Sequence, residues 1–250
     1  MPTLHDLPLR ARKQARTRLA LLEAALARLH GTRTLDDVSV KELCAEADIS
    51  EASFFNYFPQ KSDLLVYFVQ LWSLDLAWQV QAQPATGSAR DAIELIFAAT
   101  ARDAQERPRV LAEVLAHQAR LATPPAPGEL SLADRLTAFP ERPGIEELPS
   151  LGLDGLLPKL LERAARDGEL PAGVDRQAAF LGLAAIFFGV PTVLLRLAPE
   201  MIAPAYRQQL AIYWEGLRAS RGKPPRPARL TRPARPARGA PRRGRARRSP

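Results

Sequence analysis

The sequence is poor in the residues that most catalytic and metal sites require. Its 250 residues include one cysteine and three histidines. The single cysteine, Cys44, cannot form an internal disulfide, and the cysteine and histidines show no metal-ligand spacing. The chain also lacks a phosphate-binding glycine loop, a nucleophile elbow and a recognisable Ser/His/Asp grouping. We therefore expect a protein that is not an enzyme and that has neither a cofactor nor a bound metal.

Long apolar runs are also missing. No run reaches about 18 uninterrupted apolar residues, the length at which a membrane helix becomes a candidate. The longest apolar stretch, residues 180–197, contains two glycines, Pro191 and Arg196, and so predicts a buried or interface helix. The first residues, MPTLHDLPLRARKQAR, lack the apolar core of a signal peptide. The sequence therefore predicts a cytoplasmic protein with no membrane partner.

Acidic residues are absent from the C-terminal end. The formal net charge is +8, and residues 218–250 hold 12 Arg and 1 Lys without an acid. Residues 1–217 keep the other 22 of the 35 basic residues, against all 27 acids. The extreme N-terminus is again basic, through Arg10, Arg12, Lys13 and Arg16. Two basic ends favour a polyanionic partner, with nucleic acid as the first candidate, although a role in solubility would produce the same charge.

What the sequence does contain is helical periodicity. Apolar residues recur at spacings of three and four in residues 19–29, 40–47, 64–78, 93–100 and 111–118. No segment alternates convincingly with period two. Ser39 and Glu42 have the spacing of a capping box, and Ser88 and Asp91 repeat it more weakly. The sequence predicts an all-α fold.

Proline is concentrated in the second half. Residues 123–153 contain six prolines and predict a long connection with one short helix near residues 132–138. Helical pattern resumes at residues 154–167 and again at 175–197, where Pro191 is expected to kink or interrupt the helix. A last helix is predicted at residues 203–219. Residues 220–250, rich in Pro and Arg without an apolar face, predict a disordered tail.

Residues 39–58, SVKELCAEADISEASFFNYF, form the most informative pattern. A short amphipathic helix from Val40 to Ala47 is followed by a tight turn and by a second short helix at residues 51–57, with Ser50 as its N-cap. Phe54 and Phe58, four residues apart, give the second helix a buried edge. Its other side is small and polar, which suits insertion into a major groove. We interpret this segment as a helix-turn-helix.

This segment resembles the tetracycline-repressor (TetR)/AcrR family of bacterial transcriptional regulators. The resemblance is strongest in SEASFFNYFPQKSDLL, where the Tyr57-Phe58-Pro59 triplet and Lys61 are the family hallmark. It implies a nine-helix architecture, with an N-terminal three-helix helix-turn-helix unit and a helical ligand-binding and dimerisation domain. The implied boundaries are a basic N-terminal arm at 1–14, a DNA-binding domain at 15–62 and the ligand-binding and dimerisation domain at 63–219. The tail at 220–250 is not a family feature.

The resemblance also assigns candidate DNA contacts. The start of the second motif helix would approach base edges, while phosphates would lie near the residues that follow and near the basic N-terminus. The candidates are Arg12, Lys13, Arg16, Ser39, Ser50, Glu51, Ala52, Ser53, Phe55, Asn56 and Lys61. Three positions depart from the family pattern. Asp48 replaces a turn glycine, Phe55 replaces a phosphate-bonding tyrosine, and Glu51 brings an acid to the groove, where it can accept from cytosine N4 but repels phosphate.

Candidates in the second domain are apolar or aromatic. An effector pocket would be lined by Phe68, Trp72, Phe97, His117 and Phe139, with plain core packing as the alternative. A two-fold four-helix interface, implied by the resemblance, would use Phe188, Leu195, Leu210, Tyr213, Trp214 and Leu217, with a buried central helix in a monomer as the alternative. Cys44 is expected in the core, and a redox sensor is the alternative for it.

Together these features predict a ligand-responsive dimeric repressor of a near-palindromic operator, acting at the bacterial nucleoid. Its partners would be double-stranded DNA, a second copy of the chain and an unidentified small-molecule effector. One alternative is an architectural nucleic-acid-binding protein that acts through its basic tail. The other is a helical module for a small molecule or a partner protein, whose DNA-reading face is degenerate, consistent with Asp48, Glu51 and Phe55.

Overall fold

The structure is a computed structural model that describes residues 2–84, 86–121 and 129–220. Within these ranges it contains ten α-helices, two short 3-10 turns and no strand, so the all-α prediction is confirmed. The helices are α1 (Leu9–Arg28), α2 (Val40–Glu46), α3 (Glu51–Tyr57), α4 (Asp63–Gln81), α5 (Ala89–Glu106), α6 (Pro108–Arg120), α7 (Leu132–Ala138), α8 (Leu153–Arg166), α9 (Arg176–Leu194) and α10 (Ile202–Ala219). The count is one more than the nine helices expected, and the short helix predicted near residues 132–138 is α7.

Local capping explains the N-terminal helices. The Ser39 hydroxyl accepts from the Glu42 N–H while the Glu42 carboxylate accepts from the Ser39 N–H, which is the predicted capping box at the start of α2. Ser50 caps α3 in the same way by accepting from the Ser53 N–H. Between the two helices Asp48 has φ 52°, a left-handed conformation that aspartate tolerates better than most residues. The predicted helix-turn-helix at residues 39–58 is therefore present.

The N-terminal core extends beyond the first three helices. Phe54 and Phe58 are buried together with Tyr67 of α4. The same cluster includes buried residues of α6 and of the segment around α7: Val110, Val114, Leu130, Ile145 and Leu148. The boundary predicted between residues 62 and 63 coincides with the start of α4. Side-chain packing crosses this boundary, because α6 and α7 lie against the N-terminal unit.

A second core holds the C-terminal helices together. It joins α5, α8, α9 and α10 with the end of α4, around Ile93, Ile96, Leu157, Phe187 and Tyr206. α9 and α10 approach closely: a Cβ atom added at Gly182 would lie 2.7 Å from the Tyr213 ring. The glycine therefore leaves the space that this ring occupies, and the two helices form one layer.

α9 is not interrupted at Pro191, against one of the two outcomes predicted for it. Proline has no N–H, so the carbonyl of Phe187 loses its helical donor. The hydroxyl of Tyr206 on α10 donates to that carbonyl at 2.6 Å. A hydrogen bond from the neighbouring helix thus replaces the missing one, and α9 continues to Leu194.

Two sequence predictions fall wholly or partly outside the described residues. The disordered tail at 220–250 lies there, apart from Ser220. So does part of the Pro-rich connection, residues 122–128. The first predicted segment, the basic arm at 1–14, is mainly helical where the structure describes it. Because α1 begins at Leu9, Arg10, Arg12 and Lys13 lie on the first turns of a helix.

Candidate functional site

The exposed face of α3 is small, polar and open. Glu51, Ala52 and Asn56 are exposed, and Ser53 is half-buried. The hydroxyls of Ser50 and Ser53 lie 2.9 Å apart and hydrogen-bond to each other. Apart from Phe55, α3 therefore exposes no bulky side chain that would hinder its insertion into a DNA groove.

Two adjacent phenylalanines of α3 have opposite roles. The Phe54 ring is fully buried and lies 5.9 Å from that of Phe58, which in turn lies 5.7 Å from the Tyr67 ring of α4. This aromatic chain fixes α3 against α4. Phe55 is 52% exposed. Among the aromatic rings of the described residues, its ring contacts only that of Phe54, edge-on at 5.3 Å. Packing of the folded chain therefore does not require this large exposed ring.

Lys61 has a structural role that the sequence did not reveal. Its ammonium donates to the carbonyls of Val38 at 2.8 Å and Asp36 at 3.2 Å, immediately before the cap of α2. The lysine therefore ties the start of α2 to the start of α4. Its predicted position near phosphates stays a prediction.

The first turns of α1 carry basic residues at the surface. Lys13 and Arg16 are exposed, and Arg12 is half-buried. The Nε atom of Arg12 is buried without a hydrogen-bond partner among the described residues. The acids Asp48 and Glu51 are exposed on the motif itself, so the surface carries both signs of charge.

A buried charged cluster connects α1, α4 and α7. The Asp134 carboxylate, almost inaccessible to solvent, accepts from the Arg18 guanidinium at 2.7 Å and from the Tyr67 hydroxyl at 2.9 Å. The same guanidinium lies 4.1 Å from the centre of the Tyr67 ring. Asp134 also completes the capping box of α7 with Ser131. The Ser-x-x-Asp spacing could have revealed the cap, but not the partners on α1 and α4.

A cavity of about 980 Å³ lies between α1, α4, α5, α6, α8 and α9. Four of the five predicted pocket residues line it: Phe68, Trp72, His117 and Phe139. Phe97, the fifth, does not line it. Its ring is buried behind the wall, 4.9 Å from the Tyr206 ring and 5.3 Å from the Phe187 ring, because α5 turns this residue towards α9 and α10. The sequence did not predict that α1 contributes to the cavity wall, which it does through Leu19, Leu22, Glu23 and Leu26.

Five acidic side chains line the cavity wall, Glu23, Asp75, Asp103, Glu106 and Asp154, of which Asp75 and Asp103 accept hydrogen bonds from other side chains. Asp75 of α4 accepts from the Gln79 amide at 2.9 Å and pairs with Arg142 at 2.7 Å. Asp103 of α5 accepts from the Trp72 indole N–H at 2.7 Å. Burial raises the pKa of both carboxyl groups above the ordinary value. The cavity is therefore mainly apolar, and its wall carries more acidic side chains than arginines.

Two of the six predicted dimer-interface residues are buried within the chain. Leu210 is 3% exposed and Trp214 is 4% exposed, because both belong to the core between α5, α9 and α10, and so neither presents its side chain to a second copy. Phe188 is exposed, while Leu195, Tyr213 and Leu217 are half-buried. Tyr213 also donates to the Ala179 carbonyl at 2.7 Å, which holds α10 against α9.

Other apolar side chains stand free on these two helices. Leu181 is 56% exposed, Val193 62% and Ile212 59%. α9 is long and apolar enough to cross a membrane by length and composition alone. In the folded chain, however, it packs against α8 and α10, and Leu181 and Phe188, seven residues apart, remain exposed on the same side of the helix.

Cys44 lies in the core of the N-terminal unit, as expected. Its side chain is buried, and burial together with the charge of Glu51 raises the pKa of the thiol. Reactive thiols need exposure and a lowered pKa. The structure favours core packing over a redox sensor at this position.

The fold and the site define a helix-turn-helix protein whose motif is joined to a larger helical part with an interior cavity. Residues 21–68 match the family model of bacterial regulatory proteins, tetR family. The search of curated protein sequences finds no match. The predicted resemblance is confirmed: the N-terminal segment is that of the TetR family, and the chain has a TetR-like fold.

Solved structures share this fold at low sequence identity. The TetR-family repressor FadR of Thermus thermophilus, in complex with lauroyl-CoA, is 21% identical, with a TM-score of 0.56 over 89% of this chain and 100% of that one. FadR of Bacillus subtilis, in complex with stearoyl-CoA, is 14% identical, with a TM-score of 0.56 over 79% of this chain and 98% of that one. A TetR regulator of Haloarcula marismortui is 17% identical, with a TM-score of 0.54 over 82% and 97%.

Proposed function

We propose that the chain is a ligand-responsive, dimeric transcriptional repressor that binds a near-palindromic operator. The observation that carries this proposal is the exposed face of α3. It combines hydrogen-bonding groups with an exposed ring, Phe55, on a helix that is fixed to the core by Phe54. Side chains of this kind can read base edges and thymine methyl groups in a major groove.

The apolar face of α9 and α10 supports a dimer. A soluble monomer rarely exposes a contiguous set of large apolar side chains, and Leu181, Phe188 and Ile212 lie on one layer of two neighbouring helices. A second copy with the same face would bury it in a two-fold arrangement. Two recognition helices would then face half-sites about 34–36 Å apart. Sedimentation of the full chain tests this step: Leu181→Glu with Ile212→Glu should give monomers, and a wild-type monomer would contradict it.

The cavity supports gating by a small molecule. Its wall includes α4, which follows the helix-turn-helix directly, and residues of α1 that share a helix with Lys13 and Arg16. Occupation of the cavity would change the position of α1 and α4 and so shift the population of DNA-binding states. The FadR structures were determined with long-chain acyl-CoA molecules, and this cavity likewise has room for a long apolar group.

A footprint on the DNA upstream of the chain's own gene tests the proposal. Wild type should protect one discrete near-palindromic site, and Phe55→Ala with Asn56→Ala should abolish that protection while leaving the fold intact by circular dichroism. Lys13→Ala should weaken binding and reduce the salt slope by about 0.9. Lys159→Ala, at another exposed lysine, on α8, is the matched control and should change neither.

The basic tail provides the competing function. With 12 Arg and 1 Lys from residue 218 onward, it could bind DNA without sequence preference. Footprints by the full chain and by a chain ending at residue 220 separate the two. A discrete site that survives truncation supports the repressor, and coverage that needs the tail and shows no discrete site supports an architectural protein. Absence of binding by either chain supports a helical module with a degenerate DNA-reading face.

A further inference from the structure

The cavity combines a mostly apolar wall with acidic side chains. The apolar part comes from residues of α1, α4, α6 and α9 such as Leu22, Phe68, Val114 and Phe180. Five acidic side chains also line the cavity, Glu23, Asp75, Asp103, Glu106 and Asp154, together with three arginines. A ligand that fills the cavity would therefore meet apolar surface along most of its length and more acidic than basic side chains. Of the acids, Asp75 and Asp103 accept hydrogen bonds from other side chains.

The two carboxylates differ in their partners. Asp75 already has a cation, because the Arg142 guanidinium lies 2.7 Å away and a glutamine amide donates as well. Asp103 has only the neutral indole N–H of Trp72. No Lys, Arg or His nitrogen of the described residues lies within 4.0 Å of it. Asp103 is thus a half-buried acid without an ion-pair partner among the described residues.

Burial of such an acid is unfavourable unless something compensates its charge. Desolvation raises the pKa of Asp103 most, the Trp72 hydrogen bond and the charge of Arg102 lower it, and the charges of Glu106 and Asp75 raise it. Another wall atom, the Nε2 of His117, is buried without a hydrogen-bond partner among the described residues. A ligand that brings a positive charge to Asp103 would supply the ion-pair partner that the described residues do not.

The basic residues of the wall offset this preference only in part. Arg142 pairs with Asp75 and lies over the Trp78 ring, 4.6 Å from its centre. Arg102 and Arg107 are exposed, so water and counter-ions screen their charges. A ligand carboxylate or phosphate placed at Asp103 would meet like charge in a partly desolvated site.

We propose that the effector of the cavity is an amphipathic organic cation, an ammonium group on a long apolar body, with the ammonium against the carboxylate of Asp103. The proposal rests on the proposed ligand-responsive function and names its ligand class. The volume of about 980 Å³ accommodates such a molecule, since pockets of this order take drug-sized ligands. The indole of Trp72 would stay on the other side of the carboxylate and keep it oriented.

Calorimetric titration of the full chain with three probes of equal length tests the ligand class. Dodecylammonium, dodecanol and dodecanoate are each kept below their micellar concentrations. We expect affinity to fall in that order. Asp103→Asn should weaken the affinity for dodecylammonium at least about tenfold and leave the affinity for dodecanol unchanged, since a charge-assisted pair contributes on this scale. Glu94→Gln is the matched control, because Glu94 lies on the same helix outside the cavity wall.

The outcomes separate this inference from the function on which it rests. Tighter binding of dodecanoate, an Asp103→Asn variant with unchanged dodecylammonium affinity, or no binding of any probe would each overturn the ligand class. Fluorescence anisotropy of operator DNA, recorded with and without dodecylammonium, is the second readout. Calorimetric binding that depends on Asp103 but leaves the DNA affinity unchanged would keep the ligand class and reject ligand-controlled repression.

Discussion

The helix-turn-helix unit and the α9–α10 layer expose opposite kinds of surface. On α3 the exposed side chains are small or polar, with Phe55 as the exception, and the aromatic rings of Phe54 and Phe58 are buried. On α9 and α10 the situation is reversed: Leu181, Val193 and other large apolar residues remain exposed. Both surfaces belong to the same folded chain. The difference between them therefore reflects the partner that would cover each surface and not the quality of packing inside the chain.

This difference indicates two kinds of partner. A polar face keeps its hydration until a polyanion replaces the water, and so it suits nucleic acid. Burial of an apolar face lowers the free energy, and so that face suits another protein surface. The cavity is lined by α1 and α4 as well as by α9, and the Arg18–Asp134–Tyr67 cluster joins α1, α4 and α7. These are the parts of the molecule through which one surface could affect the other.

The largest expected effect separates the buried from the exposed side of α3. Phe54→Ala should cost about 3–5 kcal/mol of unfolding free energy, because a fully buried ring is lost from the core that fixes α3 to α4. Phe55→Ala, one residue later, should leave stability nearly unchanged and weaken operator binding instead. Chemical denaturation and DNA titration of both variants check this. Equal stability losses would mean that Phe55 is a packing residue and not a contact.

A smaller effect is expected at the link between the N-terminal unit and α7. Asp134→Asn should cost about 3 kcal/mol, because it leaves the Arg18 guanidinium without its buried partner. Glu215→Gln removes a surface pair with Arg218 and should stay within about 0.5 kcal/mol. Urea unfolding measures both. If the two variants behave alike, the cluster does not hold α7 against α1.

The hydrogen bond across α9 and α10 should contribute less. Tyr206→Phe leaves the buried Phe187 carbonyl without a donor and should cost about 1–2 kcal/mol. Tyr213→Phe is the matched control with a smaller expected loss, since the Ala179 carbonyl that it contacts lies where the helix supplies its own donor. Adding Pro191→Ala to Tyr206→Phe should restore a backbone donor and recover stability in thermal melts. No recovery would contradict the compensation at Pro191.

The smallest expected effect is pH-dependent and concerns the cap of α2. Hydrogen bonds from Arg33 and Ser39 lower the pKa of Glu42 from 4.5 to about 2. A carboxyl group with a lowered pKa stabilises the fold above its ordinary pKa, and this stabilisation is lost as the pH falls towards about 2. Denaturation midpoints between pH 5 and pH 2.5 should therefore fall less steeply for Glu42→Gln than for wild type. Glu94→Gln, on α5, serves as control, and parallel slopes for Glu42→Gln and wild type would refute the role of the cap.

Much of the site on α3 could be predicted because its determinants are local. The caps at Ser39 and Ser50 act within three residues, and the four-residue spacing of Phe54 and Phe58 gives the buried edge directly. The cavity was only partly predictable. Helical spacing cannot tell Phe97, which faces α9 and α10, from Phe68, which faces the cavity, since both rings lie on apolar stripes.

The sequence by itself determined the all-α fold, the helix-turn-helix and the charge distribution, since these follow from periodicity, caps and composition within short windows. Only the tertiary structure decided which apolar residues stay exposed. It buried Leu210 and Trp214 within the chain while exposing Leu181 and Ile212. It also brought Arg18 to Asp134 and Tyr206 to the carbonyl freed by Pro191. These contacts depend on how helices distant in the chain pack against one another, which no local pattern specifies.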